Sequence, residues 1–69
     1  MREKLKGQKY RPADNTTYVY NGEYTVTIRC NTQSRWVIES ETAEKVELRR
    51  ENVKMEITRR DFETKWEKA

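Results

Sequence analysis

The chain contains no histidine, a single cysteine, one proline and two glycines among its 69 residues. Without histidine it lacks the side chain most often used for acid–base chemistry near neutral pH and a common ligand of structural zinc. A lone cysteine cannot form an internal disulfide, and an unpaired thiol is typical of a reducing compartment. We therefore expect a cytoplasmic protein with no structural zinc site and no metal.

Apolar residues are also scarce, since hydrophobic residue types make up 33% of the chain and charged residues 39%. No run of about 18 apolar residues is present, which excludes a membrane-spanning helix, and no apolar stretch follows the basic N-terminal residues as a signal peptide would require. A chain of 69 residues forms one small domain, whose core rarely contributes more than about 3–5 kcal/mol. Such a domain has little room for a desolvated cleft, so we expect neither enzymatic activity nor a cofactor.

The net charge of +3 is distributed unevenly along the chain. Residues 1–12 hold five basic residues and one acidic residue, a net of +4, whereas residues 13–69 hold ten basic and eleven acidic residues, a net of −1. Residues 1–15 also lack a hydrophobic period, which predicts a flexible basic arm followed by a single β-rich domain over residues 16–69. The arm either keeps the protein soluble or contacts phosphate or an acidic partner through Arg2, Lys4, Lys6, Lys9 and Arg11.

Apolar and polar side chains alternate in residues 17–30, and this pattern predicts a β-hairpin. Its centre is Asn21-Gly22, a pair typical of a two-residue type I′ turn, in which both central residues need a positive φ. That turn places Tyr20 opposite Glu23, and directly opposed residues share a face of the sheet. Tyr18 and Tyr20 are then predicted on the side away from the core. The predicted core face consists of Val19, Tyr24, Val26, Ile28 and Cys30.

Three further segments alternate in the same way. Residues 35–39 form a third predicted strand, and residues 45–50 and 53–57 form two more, separated only by Glu51-Asn52. These last two are either a hairpin or one long strand bent at a bulge. The side chains predicted to face inward are Trp36, Ile38, Val46, Leu48, Val53, Met55 and Ile57.

The C-terminal residues change to a helical period. Thr58 precedes Asp61 by three residues, close to the pattern of a capping box, and Phe62 and Trp66 share one helical face. This predicts a helix over residues 59–68.

The fold class is therefore mainly β (α+β), with four or five short strands and a C-terminal helix, built either as an SH3-like barrel or as an open, curled antiparallel sheet.

The candidate catalytic residues each have a structural explanation that we favour. Cys30 belongs to the predicted core face and has no histidine to activate it, so it is interpreted as a small buried hydrophobe. Thr58 with Asp61, and Glu51 with Glu56, could be drawn as acid–base pairs, but we favour a helix cap for the first pair and a solvated strand face for the second.

The candidate binding residues are Tyr18 and Tyr20, because tyrosine off the core face is typical of an interface. Cross-strand packing remains the alternative for both tyrosines. Arg29 and Arg35 on the same predicted sheet are candidate contacts for the same partner. The Arg49-Arg50 and Arg59-Arg60 pairs could contact phosphate, but neighbouring carboxylates favour surface ion pairs.

The segments YVYNGEYTV, RWVIES, KVELRRENV and ITRRDFETKWE, spread over residues 18–66, resemble small phage and prophage accessory proteins. These proteins have an opening hairpin, alternating strands and a closing DFxxxW-like helical turn in a minimal SH3-like layout. The resemblance implies binding of a host macromolecule in the host cytoplasm. We expect a non-enzymatic inhibitor or modulator of a host protein. The alternative is a nucleic-acid-binding module that uses the basic arm with Arg29 and Arg35.

Overall fold

The computed structural model describes residues 5–69. The described part consists of seven β-strands and one α-helix. In chain order these are β1 (Lys9–Pro12), β2 (Thr16–Asn21), β3 (Thr25–Cys30), β4 (Trp36–Glu41), β5 (Lys45–Arg50), β6 (Val53–Thr58), α1 (Arg59–Lys65) and β7 (Trp66–Lys68).

The strands form two antiparallel sheets. The larger sheet has five strands in the order β6-β5-β4-β1-β7, and the smaller sheet is the β2–β3 hairpin. The sheets are curled but do not close into a barrel, so the mainly β prediction is confirmed in its open-sheet form rather than as an SH3-like barrel. Two of the seven strands, β1 and β7, were not predicted, because the first was interpreted as an arm and the second as the end of the helix.

The core lies on the inner face of the large sheet. Trp36 and Ile38 of β4 and every second residue of β5 and β6 from Val46 to Ile57 form this face, as the alternation predicts. Val53 is the exception, since it is 42% exposed at the start of β6. A bulge after Ile38 ends the alternation in β4, where Glu41 instead lies opposite Val46. Helix α1 contributes Phe62 to the core, and the hairpin contributes Cys30. The buried apolar cluster is Cys30, Trp36, Ile38, Val46, Leu48, Met55, Ile57, Phe62 and Trp66.

The prediction of a flexible arm over residues 1–15 is wrong for residues 9–12. Strand β1 lies inside the large sheet, with Tyr10 paired to Trp36 of β4 on one side and to Lys68 of β7 on the other. Its inward side chains join the core: Pro12 is fully buried, and the ring of Tyr10 lies 4.7 Å from that of Phe62. The folded domain therefore begins before residue 16. Arg2 and Lys4 lie outside the described residues.

The predicted register of the first hairpin is also wrong. Asn21 pairs with Thr25 and Tyr20 with Val26, so the loop contains three residues, Gly22 to Tyr24, instead of two. Neither Asn21 nor Gly22 has the positive φ that a type I′ turn needs. The register has moved by three residues, and an odd shift reverses the faces of β2 relative to those of β3. Ile28 and Cys30 of β3 stay on the core side, and Tyr18 and Tyr20 of β2 join them there.

The helix begins as predicted but ends earlier. The hydroxyl of Thr58 accepts a hydrogen bond from the backbone N–H of Asp61 at 3.1 Å, which confirms the N-terminal cap. The backbone becomes extended at Trp66, with ψ of 150°, instead of continuing to residue 68. Residues 66–68 then pair with β1, which provides backbone hydrogen bonds that a short, frayed helical end could not make.

Candidate functional site

The two tyrosines of the predicted binding surface lie on the core side of the hairpin. The hydroxyl of Tyr18 accepts a hydrogen bond from the indole N–H of Trp66 at 3.0 Å, and the hydroxyl of Tyr20 donates to the backbone carbonyl of Glu56 at 2.8 Å. Burial raises the pKa of both hydroxyls above the usual value. Their predicted position off the core face is wrong, and each has a packing role. A role in binding a partner stays a prediction.

Three large hydrophobic side chains near the turn of the hairpin are exposed. Val19 is 55% exposed, Val26 is 49% exposed and Tyr24 is 76% exposed. We call these three residues the hairpin tip. The sequence-based register had placed all three in the core. The observed register moves Val19 to the face opposite Tyr20, whereas Val26 is paired with Tyr20 and Tyr24 lies in the loop.

A group of basic side chains occupies the opposite, outer face of the large sheet. Val37 of β4 is paired with Lys9 of β1 on one side and with Arg49 of β5 on the other, and Arg49 is in turn paired with Lys54 of β6. Paired residues share a face, so these four side chains form one row across four strands. The row places Arg49 and Lys54 directly opposite each other, an arrangement of like charges that destabilises a sheet.

A shallow depression of about 350 Å³ lies over Val37 in this row. The short Val37 side chain forms its floor, with the longer chains of Lys9 and Arg49 on either side. Residues before β4 and at the β5–β6 turn complete the rim. The lining residues, which we call the basic depression, are Lys9, Gln33, Arg35, Val37, Arg49, Arg50 and Glu51.

Negative charge is sparse around the basic depression. Glu39 contacts Arg49, with 2.7 Å between its Oε2 and the Nε of Arg49. Its hydrogen bond to Arg49, together with the nearby charges of Arg49, Lys54 and Lys6, lowers the pKa of the Glu39 carboxyl group. Among the described residues no carboxylate forms an ion pair with Lys9, Arg35 or Arg50. Electrostatically, this end of the sheet is suited to an anion.

The remaining predicted contacts are not brought together with the basic depression. Arg29 lies on the small sheet, paired with Thr17. Arg11 lies on β1 but is bound to Glu67 at 2.7 Å, and Lys6 is exposed before β1. Of the predicted site residues, only Lys9 and Arg35 line the depression, and Arg49 and Arg50 join them. The paired arginines at 49 and 50 were the sequence signal for this site, although ion pairing was the favoured interpretation.

The candidates for catalysis occupy structural positions. Cys30 is 1% exposed, and burial raises the pKa of its thiol to about 11, so the reactive thiolate is strongly disfavoured. Asp61 faces Lys65 one helical turn away, and Glu56 pairs with Lys45 at 3.3 Å. Within residues 5–69 no three acidic or cysteine side chains are grouped so that they could hold a metal ion.

Helix α1 has only seven residues, and no helix in the described part of the chain is long and apolar enough to cross a membrane. The resemblance to phage accessory proteins stays a prediction. No family model, curated protein or solved structure matches the chain.

Proposed function

We propose that this is a non-enzymatic binding protein that modulates or inhibits another protein by contacting it through the hairpin tip. The observation that carries the proposal is the position of the exposed apolar side chains. Of four large hydrophobic residues that are well exposed, three lie within residues 19–26, and the fourth is Val53 on the large sheet. Scattered single residues of this kind are ordinary on a protein surface, whereas a concentration of them around the turn of one hairpin is typical of an interaction site.

The edges of the hairpin support the same interpretation. In the described residues, β2 and β3 form backbone hydrogen bonds with each other, and no such bond joins either strand to the large sheet. Each strand therefore has one free row of backbone donors and acceptors, to which a partner strand can add. Tyrosine is also among the residues that contribute most to binding at interfaces, which makes Tyr24 the expected anchor.

The alternative function, nucleic-acid binding by a basic arm, has lost part of its basis. Residues 9–12 are a strand inside the large sheet, and Arg11 is engaged by Glu67. These basic residues do not form a mobile chain that could follow a phosphate backbone.

Affinity capture from cells that contain the natural partner tests the proposal, with the tagged wild-type protein as bait. Tyr24→Ala is expected to weaken binding of the captured protein by about 2 kcal/mol, roughly thirtyfold, which is the size of an interface hot spot. Val53→Thr is the control, because it alters an exposed hydrophobic residue on the other sheet, and it is matched to Val→Thr changes at Val19 and Val26, whose exposure is similar. Both variants should melt near the wild-type temperature.

Equal binding by the wild type, Tyr24→Ala and a Val19→Thr/Val26→Thr variant would contradict a role for the hairpin tip. Loss of binding in Val53→Thr alone would assign the interface to the large sheet instead.

A further inference from the structure

We propose that the basic depression on the outer face of the large sheet is a binding site for a phosphate group. The site is separate from the hairpin tip, and the proposal does not depend on the function assigned to that surface. Its ligand is either the phosphodiester backbone of a duplex nucleic acid or a free phosphate compound, since both present the same anionic oxygens.

Convergence of the cations is the first argument. Lys9 of β1 and Arg49 of β5 point outward on either side of Val37, and Arg35 comes from the residues before β4. Arg50 also lines the depression at the end of β5, but it follows Arg49, so its side chain alternates to the other face of the strand. Neighbouring strands are about 4.8 Å apart, so Lys9 and Arg49 flank Val37 at a backbone separation of roughly 10 Å, which their long side chains can span. Side chains from three separate segments therefore meet over one small concavity.

The surplus of positive charge is the second argument. Four cations and one carboxylate, Glu51, line the depression, which gives a net charge of +3, and Glu39 beside Arg49 lowers it to +2, although residues 13–69 as a whole carry −1. Mutual repulsion of these groups opposes folding unless an anion binds among them.

The shape of the depression favours phosphate over an acidic peptide. A phosphate group presents several charged oxygens at one point, and arginine forks can bind two of them at once. The carboxylates of an acidic peptide are distributed along an extended chain, which suits a linear row of cations better than a cluster around Val37. The lining residues include no aromatic side chain on which an unpaired base could stack, so the nucleic acid considered is a duplex.

The proposal is tested on the whole chain by NMR titration of backbone amides with inorganic pyrophosphate and, separately, with a short DNA duplex. The expected result is saturable shifts centred on residues 33–37, 49–51 and Lys9. Arg35→Gln should weaken binding by about tenfold, because a hydrogen bond to a charged group contributes at least that factor. Arg60→Gln is the matched control, since it removes the same charge from an exposed position on the helix and should change the affinity by less than about twofold.

Glu51 provides a variant that should act in the opposite direction. Glu51 lines the depression, so Glu51→Gln removes a negative charge from the rim and should tighten binding of either phosphate ligand several-fold. A structural role for Arg35 alone would not produce this gain.

The two ligands distinguish the sources of the phosphate. If the duplex binds more tightly than pyrophosphate, the site is assigned to a nucleic-acid backbone. A plot of log K for the duplex against the logarithm of the salt concentration should then have a slope of about −0.9 for each contacted phosphate. Tighter pyrophosphate binding assigns it to a free phosphate compound. The proposal is overturned if neither ligand produces saturable shifts, if Arg35→Gln and Arg60→Gln lose affinity equally, or if a glutamate-rich peptide binds the depression and the phosphates do not.

Discussion

The indole N–H of Trp66 donates a hydrogen bond of 3.0 Å to the hydroxyl of Tyr18. Trp66 is 6% exposed and its ring meets that of Trp36 edge-on, with the ring centres 6.3 Å apart. This contact joins the small sheet to the point where the helix ends and β7 begins, across 48 residues of sequence. It is one of two hydroxyl contacts that fix the hairpin on the core, the other being from Tyr20 to the edge strand β6.

Tyr18→Phe should lower the free energy of unfolding by about 1–3 kcal/mol, because the buried indole N–H of Trp66 loses its acceptor. Trp66→Ala should cost about 3–5 kcal/mol, which can exceed the total stability of so small a domain. Urea denaturation of Tyr18→Phe is the decisive measurement, with Tyr24→Phe as the control because Tyr24 is exposed. Equal midpoints for wild type, Tyr18→Phe and Tyr24→Phe would show that the contact does not stabilise the fold.

Deletion of residues 1–12 should unfold the protein. The deletion removes β1 from between β4 and β7, and with it the contact of Tyr10 with Phe62. Circular dichroism and the melting temperature report the loss, and deletion of residues 1–4 is the control because it leaves β1 intact. A truncated protein that melts like the wild type would restore the interpretation of this segment as an arm.

Glu51→Gly should stabilise the protein by about 1 kcal/mol. Glu51 has φ of 55°, in the left-handed region where a side chain costs about 1–2 kcal/mol and glycine costs little. Asn52→Gly, at the neighbouring turn position with no positive φ, should instead be neutral or destabilising, because glycine only adds freedom to the unfolded chain. The opposite order of the two melting temperatures would show that the turn takes another conformation in solution.

Alkaline pH should destabilise the protein through Cys30. Burial raises the pKa of its thiol from the usual 9.0 to about 11, so the unfolded chain loses this proton at a lower pH than the folded chain does. The contribution to stability is complete below pH 9 and is lost as the pH rises towards 11, by up to about 2 kcal/mol. Tyr18 and Tyr20, whose pKa values are also raised, add to the loss above pH 10.

The measurement for Cys30 is the urea midpoint between pH 8 and pH 11. Cys30→Ala should be less stable at pH 8, because it leaves a cavity, but should lose less stability on the way to pH 11. Parallel curves for the two proteins would mean that the thiol is not protonated preferentially in the folded state.

The sequence predicts which side chains face the core most reliably in strands where hydrophobic and polar residues alternate. Val46 and Leu48 are fully buried and Met55 and Ile57 nearly so, and the two intervening residues Glu51-Asn52 form a turn, as one of the two predicted arrangements required. In these strands the hydrophobic period alone determines which side chains face inward.

The first hairpin shows why a strong local signal can fail. Asn21-Gly22 favours a two-residue turn, but that turn would have left Tyr18 and Tyr20 outside the core. The longer loop lets both tyrosines pack and form hydrogen bonds to Trp66 and Glu56. Burying these two tyrosines stabilises the fold by more than the Asn-Gly preference for a two-residue turn does. This gain cannot be read from the local sequence, because the groups that the tyrosines contact are more than thirty positions away.

Strand β1 and the basic depression could not be predicted for a different reason. Tyr10 and Pro12 of β1 point inward and Lys9 and Arg11 outward, but four residues are too few for this alternation to predict a strand. The place of β1 in the sheet depends on backbone hydrogen bonds to β4 and β7. The depression exists only because β1, β4 and β5 are neighbours. The approach of Lys9 to Arg49 follows from that pairing, which no spacing along the chain reveals.

The position of β1 also constrains the order of events during synthesis. Strand β1 is synthesised before the other strands of this fold, yet the partner on one of its two sides, β7, is separated from it by 56 residues, as the contact of Arg11 with Glu67 shows. At the usual 5–20 residues per second, β1 waits roughly 3–11 s for that partner. Until then one backbone edge of β1 has no strand to pair with. An unpaired edge of this kind is a site at which a nascent chain can aggregate or bind a chaperone.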